Sequence, residues 1–445
     1  MKFNPFLLIT TFSAALGGLL FGFDSSVISG AVDAVALYFQ LDDVALGFSV
    51  SSAVLGSAAG AGLAGSLSDK FGRKKMLLLT AVLFAVSSVG SSVAYSFPLF
   101  IVSRILCGLS IGAVSVLSPT YITEIAPAQI RGRLVSLNQL MIVIGILMAY
   151  FSNYLLADSG DSAWRYMLGT GAFPATLFFM AILFAPESPR WLLQRGRNAE
   201  AEKILFKIGG AAYVQEATAD LQKNHTQNAL GLGNIGELFK GKMFKVFIIG
   251  VALACLQQVT GINAIIYYAP TIFKSVGSEN AFMNTVLVGV VNLAFTFVAI
   301  WLIDRLGRKP LMVYGAAGMA LSLSVLVWAF FANKVEGMIV LLSILGYIAS
   351  FAASLAPIMW VVVTEIFPNK IRGIAMAVCI TLHWSCTFLV TQTFPWILNN
   401  IGGGVAFGIF AVLSVFTVVF VQLYVPETKG KSLEQIEREL GVSEL

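Results

Sequence analysis

The feature that most constrains the fold of this chain is a series of apolar segments, each long enough to cross a lipid bilayer. A membrane-spanning helix needs about 20 mostly apolar residues. Only 11% of the 445 residues are charged, against about 25% in a soluble domain. The sequence therefore predicts an all-α membrane protein with twelve transmembrane helices. Their predicted limits, numbered as spans 1 to 12, are 6–32, 45–67, 77–96, 98–122, 132–157, 165–185, 245–273, 282–303, 311–332, 338–363, 373–398 and 404–425.

The positive charges indicate how the spans are oriented. Of the 28 Lys and Arg residues, 24 lie in the terminal tails and in alternate loops. Because cytoplasmic loops concentrate Lys and Arg, both termini are expected in the cytoplasm. The first apolar segment is too long for the core of a signal peptide, so we expect it to remain as span 1. The net charge of +5 then reflects orientation, and no nucleic-acid partner is predicted.

Three short motifs occur twice, which predicts two six-helix halves. Parallel halves related by an axis along the membrane normal suit transport by alternating access. The repeated pairs are DKFGRK (69–74) with DRLGRK (304–309), TEI (123–125) with TEI (364–366), and PES (186–188) with PET (426–428). The predicted domains are an N-terminal bundle (1–185), a cytoplasmic helical linker (186–243), a C-terminal bundle (244–428) and a cytoplasmic tail (429–445).

Charged residues at the predicted cytoplasmic helix ends recur in both halves. Opposite charges there can form salt bridges when the cytoplasmic side is closed and must separate when it opens. An isolated surface pair contributes only about 0–1 kcal/mol, so only a network could bias this equilibrium. Alternatively, the positive charges only set topology. The predicted gating network comprises Asp69, Arg73, Glu124, Arg131, Glu187, Arg190, Asp304, Arg308, Glu365 and Arg372.

The residue types that carry most enzyme chemistry are sparse in the spans. No metal-ligand cluster and no nucleophile–base arrangement is apparent, and the two histidines, His225 and His383, are far apart in sequence. An enzyme is therefore disfavoured, and neither a cofactor nor a metal is predicted. The cysteines all fall in predicted spans and are expected to be small buried hydrophobes without a disulfide framework. They are Cys107, Cys255, Cys379 and Cys386.

Six motifs, taken in order, resemble those of the sugar porter family within the major facilitator superfamily. That family includes bacterial proton-linked symporters and animal facilitative glucose transporters. The resemblance runs from about Leu16 to Leu433 and implies the major facilitator fold, a monosaccharide substrate and a monomeric protein. The motifs are GGLLFGFDSSVISG, RGRLVSLNQL, PESPRWLLQRGR, QQVTGINAIIYYAP, TEIFPNKIRG and PETKG.

The resemblance also implies a set of sugar-contacting residues. Uncharged amides offer both donors and acceptors to a neutral polyhydroxy ligand, and aromatic faces can cover its C–H surface. Each amide taken alone could equally form an interhelical hydrogen bond. The implied polar contacts are Gln139, Gln257, Gln258, Asn263, Asn292 and Trp360. The implied aromatic residues near the pocket and its outer gate are Phe21, Tyr267 and Tyr268.

The chain departs from the family pattern in spans 10 and 11. Span 10 keeps one proline, Pro357, in a stretch that is rich in glycine and proline in relatives. In span 11 the amide that precedes a tryptophan is replaced by His383, and the second amide by Thr387. His383 is included among the candidate sugar-binding residues. A hydrogen-bonded helix contact and a titrating proton site are the alternatives.

Asp24 lies inside span 1, in the motif FGFDSSVISG, and Arg104 is the only arginine well inside a span. Charges in spans are costly and tend to mark ion pathways. At 1.5 Å per residue, Arg104 lies about 9 Å and Asp24 about 14 Å below the outer ends of their helices, so the depths are comparable. In the family, the matching pair occurs in proton symporters, whereas facilitative carriers have asparagine. A static structural pair is the alternative.

The predicted function is uptake of a neutral hexose or pentose in symport with protons. A facilitative uniporter and a non-transporting sugar sensor are the alternatives, and sodium in place of protons stays open. The expected location is the plasma membrane, or the inner membrane of a Gram-negative cell. The predicted partners are the sugar and the lipid bilayer.

Overall fold

The structure is a computed structural model, and nearly all the residues it describes are helical. It describes residues 4–127, 130–228, 235–335, 337–368, 371–431 and 433–442. The helices are α1 (Pro5–Phe39), α2 (Asp43–Phe71), α3 (Arg73–Ser92), α4 (Phe97–Ile125), α5 (Arg131–Leu156), α6 (Ala163–Gly169), α7 (Ala172–Phe184), α8 (Pro189–Gln194), α9 (Asn198–Asn228), α10 (Gly241–Val259), α11 (Ile262–Ser275), α12 (Ala281–Leu306), α13 (Arg308–Phe331), α14 (Gly337–Ala352), α15 (Leu355–Ile366), α16 (Arg372–Asn400), α17 (Gly403–Tyr424) and α18 (Leu433–Leu440). A short 3-10 helix, Ile235–Phe239, precedes α10.

Twelve helical segments in the described part of the chain are long and apolar enough to cross a membrane, and each overlaps one of the predicted spans 1 to 12, with ends that differ by up to several residues. The series begins with Pro5–Phe39 and ends with Gly403–Tyr424. Between spans 6 and 7, α8, α9 and the 3-10 helix form a helical insert. The predicted fold class, twelve transmembrane helices with a helical insert, is therefore confirmed.

Three of the spans are interrupted, which hydropathy does not indicate. Span 6 consists of α6 and α7, span 7 of α10 and α11, and span 10 of α14 and α15. Span 7 breaks at Gly261, whose φ of 96° is a conformation that residues with a Cβ rarely adopt. The hydroxyl of Tyr347 donates a hydrogen bond of 3.0 Å to the carbonyl of Thr260. This bond satisfies a backbone group at the break, as an apolar environment requires.

Residue contacts divide the chain into two compact units. The predicted domain limits follow the sequence repeat, and they stay a prediction. Helices α1, α2, α5 and α6 each contribute residues to both units. Unit 1 comprises Met1–Ser25, Leu55–Ala149 and Arg165–Leu232, and unit 2 comprises Ser26–Val54, Tyr150–Trp164 and Gly233–Leu445.

Equivalent helices of the two sequence halves pack in the same way. In unit 1, α3 packs against α4 and α7, and in unit 2, α13 packs against α14 and α17. These contacts join span 3 to spans 4 and 6, and span 9 to spans 10 and 12. The interior of unit 1 is filled by large side chains that are at most 1% exposed, among them Leu77, Phe84, Leu117, Tyr121 and Phe178. The repeat in the motifs thus extends to the packing of the helices.

Candidate functional site

Asp24 of α1 and Arg104 of α4 form an ion pair inside unit 1. Nη1 of Arg104 lies 2.7 Å from Oδ1 of Asp24, and Nη2 lies 3.3 Å from Oδ2. The guanidinium therefore contacts both carboxylate oxygens. The two residues are 4% and 3% exposed, so both charges are removed from water. Removing one partner of a buried pair costs about 3–5 kcal/mol, so the structure depends on both residues.

Close contact between α1 and α5 orients Asp24. A Cβ on Gly22 would lie 1.8 Å from the carbonyl oxygen of Ile142, and a Cβ on Gly145 would lie 2.3 Å from that of Leu19. Small residues permit such close helix contact in membranes. Asp24 follows Gly22 by two residues, which is about 200° around the helix. Because Gly22 faces α5, Asp24 points away from α5 and towards α4.

Three amide side chains form a hydrogen-bonded chain at the break of span 7. Nε2 of Gln257 donates to the carbonyl of Leu355 at 2.8 Å, and Nε2 of Gln258 donates to Oε1 of Gln257 at 3.3 Å. Nδ2 of Asn263 donates to Oε1 of Gln258 at 2.5 Å. Leu355 is the first residue of α15. The amides therefore connect the break in span 7 to the break in span 10.

His383 of α16 lies between two tryptophans. The centroid of its ring is 5.1 Å from that of Trp360 and 5.7 Å from that of Trp384. The ring forms a hydrogen bond with the backbone of Ala254. Nδ1 has no hydrogen-bond partner among the described residues. A neutral imidazole donates through one nitrogen and accepts through the other, so Nδ1 can accept a hydrogen bond from a hydroxyl group.

Tyr268 has a backbone role in addition to the aromatic role that was predicted for it. The side chain is 1% exposed, and its hydroxyl donates a hydrogen bond of 3.0 Å to the carbonyl of Thr391. Pro395, four residues after Thr391, has no N–H to donate to that carbonyl. The ring packs beside Phe394 with 5.4 Å between centroids. The tyrosine thus supplies the donor that the proline cannot.

The hydroxyl of Tyr150 likewise supplies a donor that a proline cannot, this time to a carbonyl of α11. Pro270 cannot donate to the carbonyl of Ile266, four residues earlier, and the hydroxyl of Tyr150 donates to that carbonyl at 2.9 Å. Tyr150 was not among the predicted site residues. The proline was visible in the sequence, but the tyrosine that compensates for it is 116 residues away.

The other predicted sugar-contacting residues belong to both units. Phe21 of α1 and Gln139 of α5 lie in unit 1 and are partly exposed. Tyr267 of α11 and Asn292 of α12 lie in unit 2 and are 6% and 8% exposed. Their contact with a sugar stays a prediction.

In unit 1, the predicted gating residues form a cluster around Arg73. Nη1 of Arg73 lies 2.7 Å from Oδ1 of Asp69, and Nη2 lies 2.9 Å from Oε1 of Glu124. The carboxylate of Glu187 accepts hydrogen bonds from the backbone N–H groups of Arg73 and Lys74, at 3.0 and 3.1 Å. These N–H groups begin α3 and have no partner within the helix. Glu187 thus caps α3, and its charge complements the helix dipole.

Unit 2 repeats the cluster at the start of α13. Nη2 of Arg308 lies 3.7 Å from Oε1 of Glu365, and Glu427 accepts hydrogen bonds from the backbone N–H groups of Arg308 and Lys309 at 3.0 and 3.1 Å. Burial raises the pKa of Glu427, but these and two further backbone N–H groups lower it by more, so the pKa lies below its ordinary value. The side chain of Asp304 lies outside the described part of the structure. Glu427 was missed as a site residue, although its motif PET repeats PES.

Glycine is required where each of these two loops meets its capping carboxylate. Gly72 and Gly307 have φ values of 100° and 96°, which favour glycine. A Cβ on Gly72 would lie 2.4 Å from a carboxylate oxygen of Glu187, and a Cβ on Gly307 would lie 2.6 Å from one of Glu427. The repeated glycine and the repeated glutamate therefore form one structural motif.

The remaining predicted gating residues are arginines. Nε and Nη2 of Arg372 donate to the carbonyl of Phe367, at 3.1 and 2.8 Å, and Nη2 of Arg131 lies 3.5 Å from the carbonyl of Ala126. A cation at the C-terminal end of a helix complements its dipole. Arg190 lies in α8 and is partly exposed. The contacts described for these charges lie within single units, and their role as a gate stays a prediction.

Asp33 lies near the end of α1. In unit 2 its carboxylate accepts hydrogen bonds from the hydroxyl of Thr271 at 2.7 Å and from Nζ of Lys274 at 2.8 Å. The end of α1 is therefore joined to α11. No local signal in the sequence indicates this contact, because the partners are 238 and 241 residues away.

Comparison with known proteins gives likenesses that extend over nearly the whole chain. The family model described as "Sugar (and other) transporter" matches residues 10–440. The arabinose-proton symporter of Bacillus subtilis is 40% identical over 441 residues, which cover 97% of this chain and 95% of that protein. The D-xylose-proton symporter of Escherichia coli K12 is 40% identical over 474 residues, covering 98% of this chain and 96% of that protein.

A solved structure extends the likeness to three dimensions. The inward-open conformation of the xylose transporter XylE from E. coli superposes with a TM-score of 0.86 at 39% identity, covering 97% of this chain and 99% of that one. The family resemblance carried by the six sequence motifs is thereby confirmed. From its motifs, its twelve spans and its full-length relatives, this chain belongs to the sugar transporter family.

Proposed function

We propose that this protein imports a neutral monosaccharide in symport with protons, by alternating access. The observation that carries the proposal is the buried ion pair of Asp24 and Arg104, with its shorter contact at 2.7 Å. An arginine stays charged at any physiological pH, so Asp24 is the partner that can take up a proton. The activities named for the relatives, arabinose-proton and D-xylose-proton symport, support the same function.

The ion pair gives a physical reason for coupling. A guanidinium within contact distance favours the ionised carboxylate, whereas burial without a partner disfavours it. Facing outward, Asp24 takes up a proton and releases Arg104, sugar binds, and the halves rock inward. Facing inward, the proton leaves and the pair reforms, which permits the return. Separating the charged pair in a buried site would be costly, so movement without a proton is disfavoured.

We assign sugar binding to the amide chain and the residues near it. Gln257, Gln258 and Asn263 are already hydrogen-bonded to one another, and amides can exchange such bonds for bonds to hydroxyl groups. The indole of Trp360 can cover a C–H face of the sugar, and Nδ1 of the adjacent His383 can accept from a hydroxyl. The further residues assigned to the sugar are Phe21, Gln139, Tyr267, Tyr268 and Asn292.

The proposed function includes an orientation in the membrane and two moving halves. Both termini face the cytoplasm, and the charge clusters that begin α3 and α13 lie on that side, where they act as the cytoplasmic gate. The protein lies in the plasma membrane, works as a monomer and needs no cofactor. Residues 1–185 and 244–428 are the two moving halves, with 186–243 as the linker and 429–445 as the tail.

Uptake into proteoliposomes tests the proposal. Radiolabelled xylose, arabinose and glucose are supplied with and without an inward proton gradient. We expect the native protein to accumulate at least one sugar above equilibrium when the gradient is present. Asp24→Asn keeps the size of the side chain but cannot exchange a proton, so we expect it to equilibrate or exchange sugar without accumulating it.

Asp33→Asn is the matched control, because Asp33 is a carboxylate of the same helix that is partly exposed and paired with Lys274. We expect this variant to retain gradient-driven accumulation. If Asp24→Asn accumulates sugar as the native protein does, the ion pair is structural and the coupling assignment is wrong. If the native protein only equilibrates sugar, it is a facilitative uniporter.

A further inference from the structure

A third side chain contacts the ion pair. Sγ of Cys107 lies 3.0 Å from Oδ1 of Asp24, the oxygen that also accepts from Nη1 of Arg104. Cys107 follows Arg104 by three residues in α4, so the two side chains lie on the same face of the helix. Cys107 is fully buried. Cysteine at such a position is usually a small hydrophobe, but here the thiol faces a carboxylate.

The surroundings of the thiol favour its role as a donor to Asp24. A thiol is a weak donor, and a hydrogen bond to an ionised acceptor is roughly twice as strong as one between neutral groups. Ser87 of α3 is also within hydrogen-bond reach of the thiol, but its hydroxyl donates to the carbonyl of Phe84 at 2.9 Å, so towards the thiol its oxygen offers only a neutral acceptor. The ionised carboxylate at 3.0 Å is the stronger acceptor, which favours donation of the thiol proton to Asp24.

We propose that Cys107 is a positioning residue for proton coupling, whose thiol donates a hydrogen bond that stabilises the ionised form of Asp24 and so sets the pH range in which the transporter takes up its proton. This inference rests on the proposed function, in which Asp24 carries the proton. Loss of the donor leaves the pairing with Arg104 in place but makes the ionised carboxylate less favourable. Asp24 in such a variant is protonated at higher pH.

Few other groups can account for a change in this pH range. In the described part of the structure, the charged or titratable groups in hydrogen-bond contact with the Asp24 carboxylate are Arg104 and Cys107, both from α4. Helix α3 brings Ser87 near the thiol, and α5 brings the backbone of Ile142 where it passes Gly22. None of these last residues titrates, so the proposal concerns one thiol and one ion pair.

The first test is the pH profile of gradient-driven uptake in proteoliposomes. In Cys107→Ala the donor is lost, and we expect the midpoint of the profile to move to higher pH by about 0.5 to 1 unit. Cys107→Ser retains a donor, and its midpoint should stay closer to that of the native protein. Cys379→Ala removes another fully buried cysteine and should leave the midpoint unchanged. Equal midpoints for native and Cys107→Ala, or equal shifts for Cys107→Ala and Cys107→Ser, would overturn the proposal.

The second test needs no transport. Since the chain has four cysteines, replacing the other three by alanine leaves a single S–H stretching band in the infrared spectrum. We expect this band to shift with pH as Asp24 is protonated, and to become independent of pH when Asp24→Asn is added. A band that does not respond to pH, or that responds equally in Asp24→Asn, contradicts the hydrogen bond.

The two tests separate this inference from the proposed function. If Asp24→Asn still accumulates sugar, the assignment of proton coupling to Asp24 fails, while the infrared band still decides whether Cys107 donates to Asp24. If Asp24→Asn loses accumulation but Cys107→Ala keeps the native midpoint, the proposed function stands and the positioning role of Cys107 is wrong.

Discussion

The hydroxyl of Tyr268 is expected to stabilise the fold because residue 395 is a proline. In Tyr268→Phe the ring remains, but the carbonyl of Thr391 loses its donor. In Pro395→Ala, the new N–H of residue 395 can donate to the same carbonyl, as in any continuous helix. The tyrosine hydroxyl should then be dispensable. The effects of the two substitutions are therefore expected to be non-additive.

The size of the effect follows from the burial of the bond. A buried polar group without a partner costs about 1–3 kcal/mol, and interhelical hydrogen bonds measured in a membrane protein average about 0.6 and reach about 1.7 kcal/mol. Because Tyr268 is 1% exposed, we expect a value near the upper limit, about 1.5 kcal/mol. With an unfolding entropy of about 2.1 cal/mol/K per residue over 445 residues, Tm should fall by about 1.5 °C.

Thermal unfolding in detergent, followed by tryptophan fluorescence, measures this double-mutant cycle. We expect Tyr268→Phe to lower the Tm of the native protein, and to lower that of Pro395→Ala by much less. Tyr314→Phe, at a site that is 69% exposed, should have no effect and serves as the control. If Tyr268→Phe lowers Tm equally in both backgrounds, the hydroxyl does not compensate for the proline and the reasoning is refuted.

Two further substitutions give expected outcomes. His383→Gln replaces the acceptor Nδ1 by an amide. We expect the KM for sugar to change by about 3- to 10-fold, while the pH profile of uptake stays unchanged. An unchanged KM would show that His383 is only a helix contact. The pKa of Glu427 lies below its ordinary value of 4.5, so its stabilising contribution is complete above that pH and is lost as pH falls through the pKa of the folded state. Glu427→Gln should therefore lower Tm at pH 7 and make Tm less dependent on pH in the acidic range, and equal pH dependence of Tm in the two proteins would contradict this.

The twelve spans could be predicted from the sequence because each depends only on a local run of apolar residues. Span 12, for example, was predicted at 404–425 and lies at Gly403–Tyr424. The repeat of motifs could be found in the same way, and equivalent helices do pack alike. The breaks of spans 7 and 10 could not be predicted from hydropathy, since a broken span is as apolar as a continuous one. Gly261 is a local cause that a closer inspection of glycines could have detected.

Other contacts depend on which face of a helix a residue occupies, and hydropathy does not show this. Cys107 was expected to be a small buried hydrophobe, and it is buried, but its thiol faces Asp24 because it lies three residues after Arg104. Asp33 and Tyr150 have partners more than 100 residues away. Such contacts follow from the arrangement of whole helices, which no single segment of sequence specifies.

The carboxylates that cap α3 and α13 also bear on how the chain is made. The carboxylate that caps the backbone N–H groups of Arg73 and Lys74 belongs to Glu187, which follows them by 114 and 113 residues. Glu187 lies just beyond the last span of the same half. In the second half, the backbone N–H of Arg308 is capped by the carboxylate of Glu427, 119 residues later. Domains tend to fold in the order in which they are synthesised. The first half can therefore form the cap at the start of α3 while the second half is still being synthesised on the ribosome. A nascent chain that stops before Glu187 leaves the start of α3 uncapped, and a few more residues complete it.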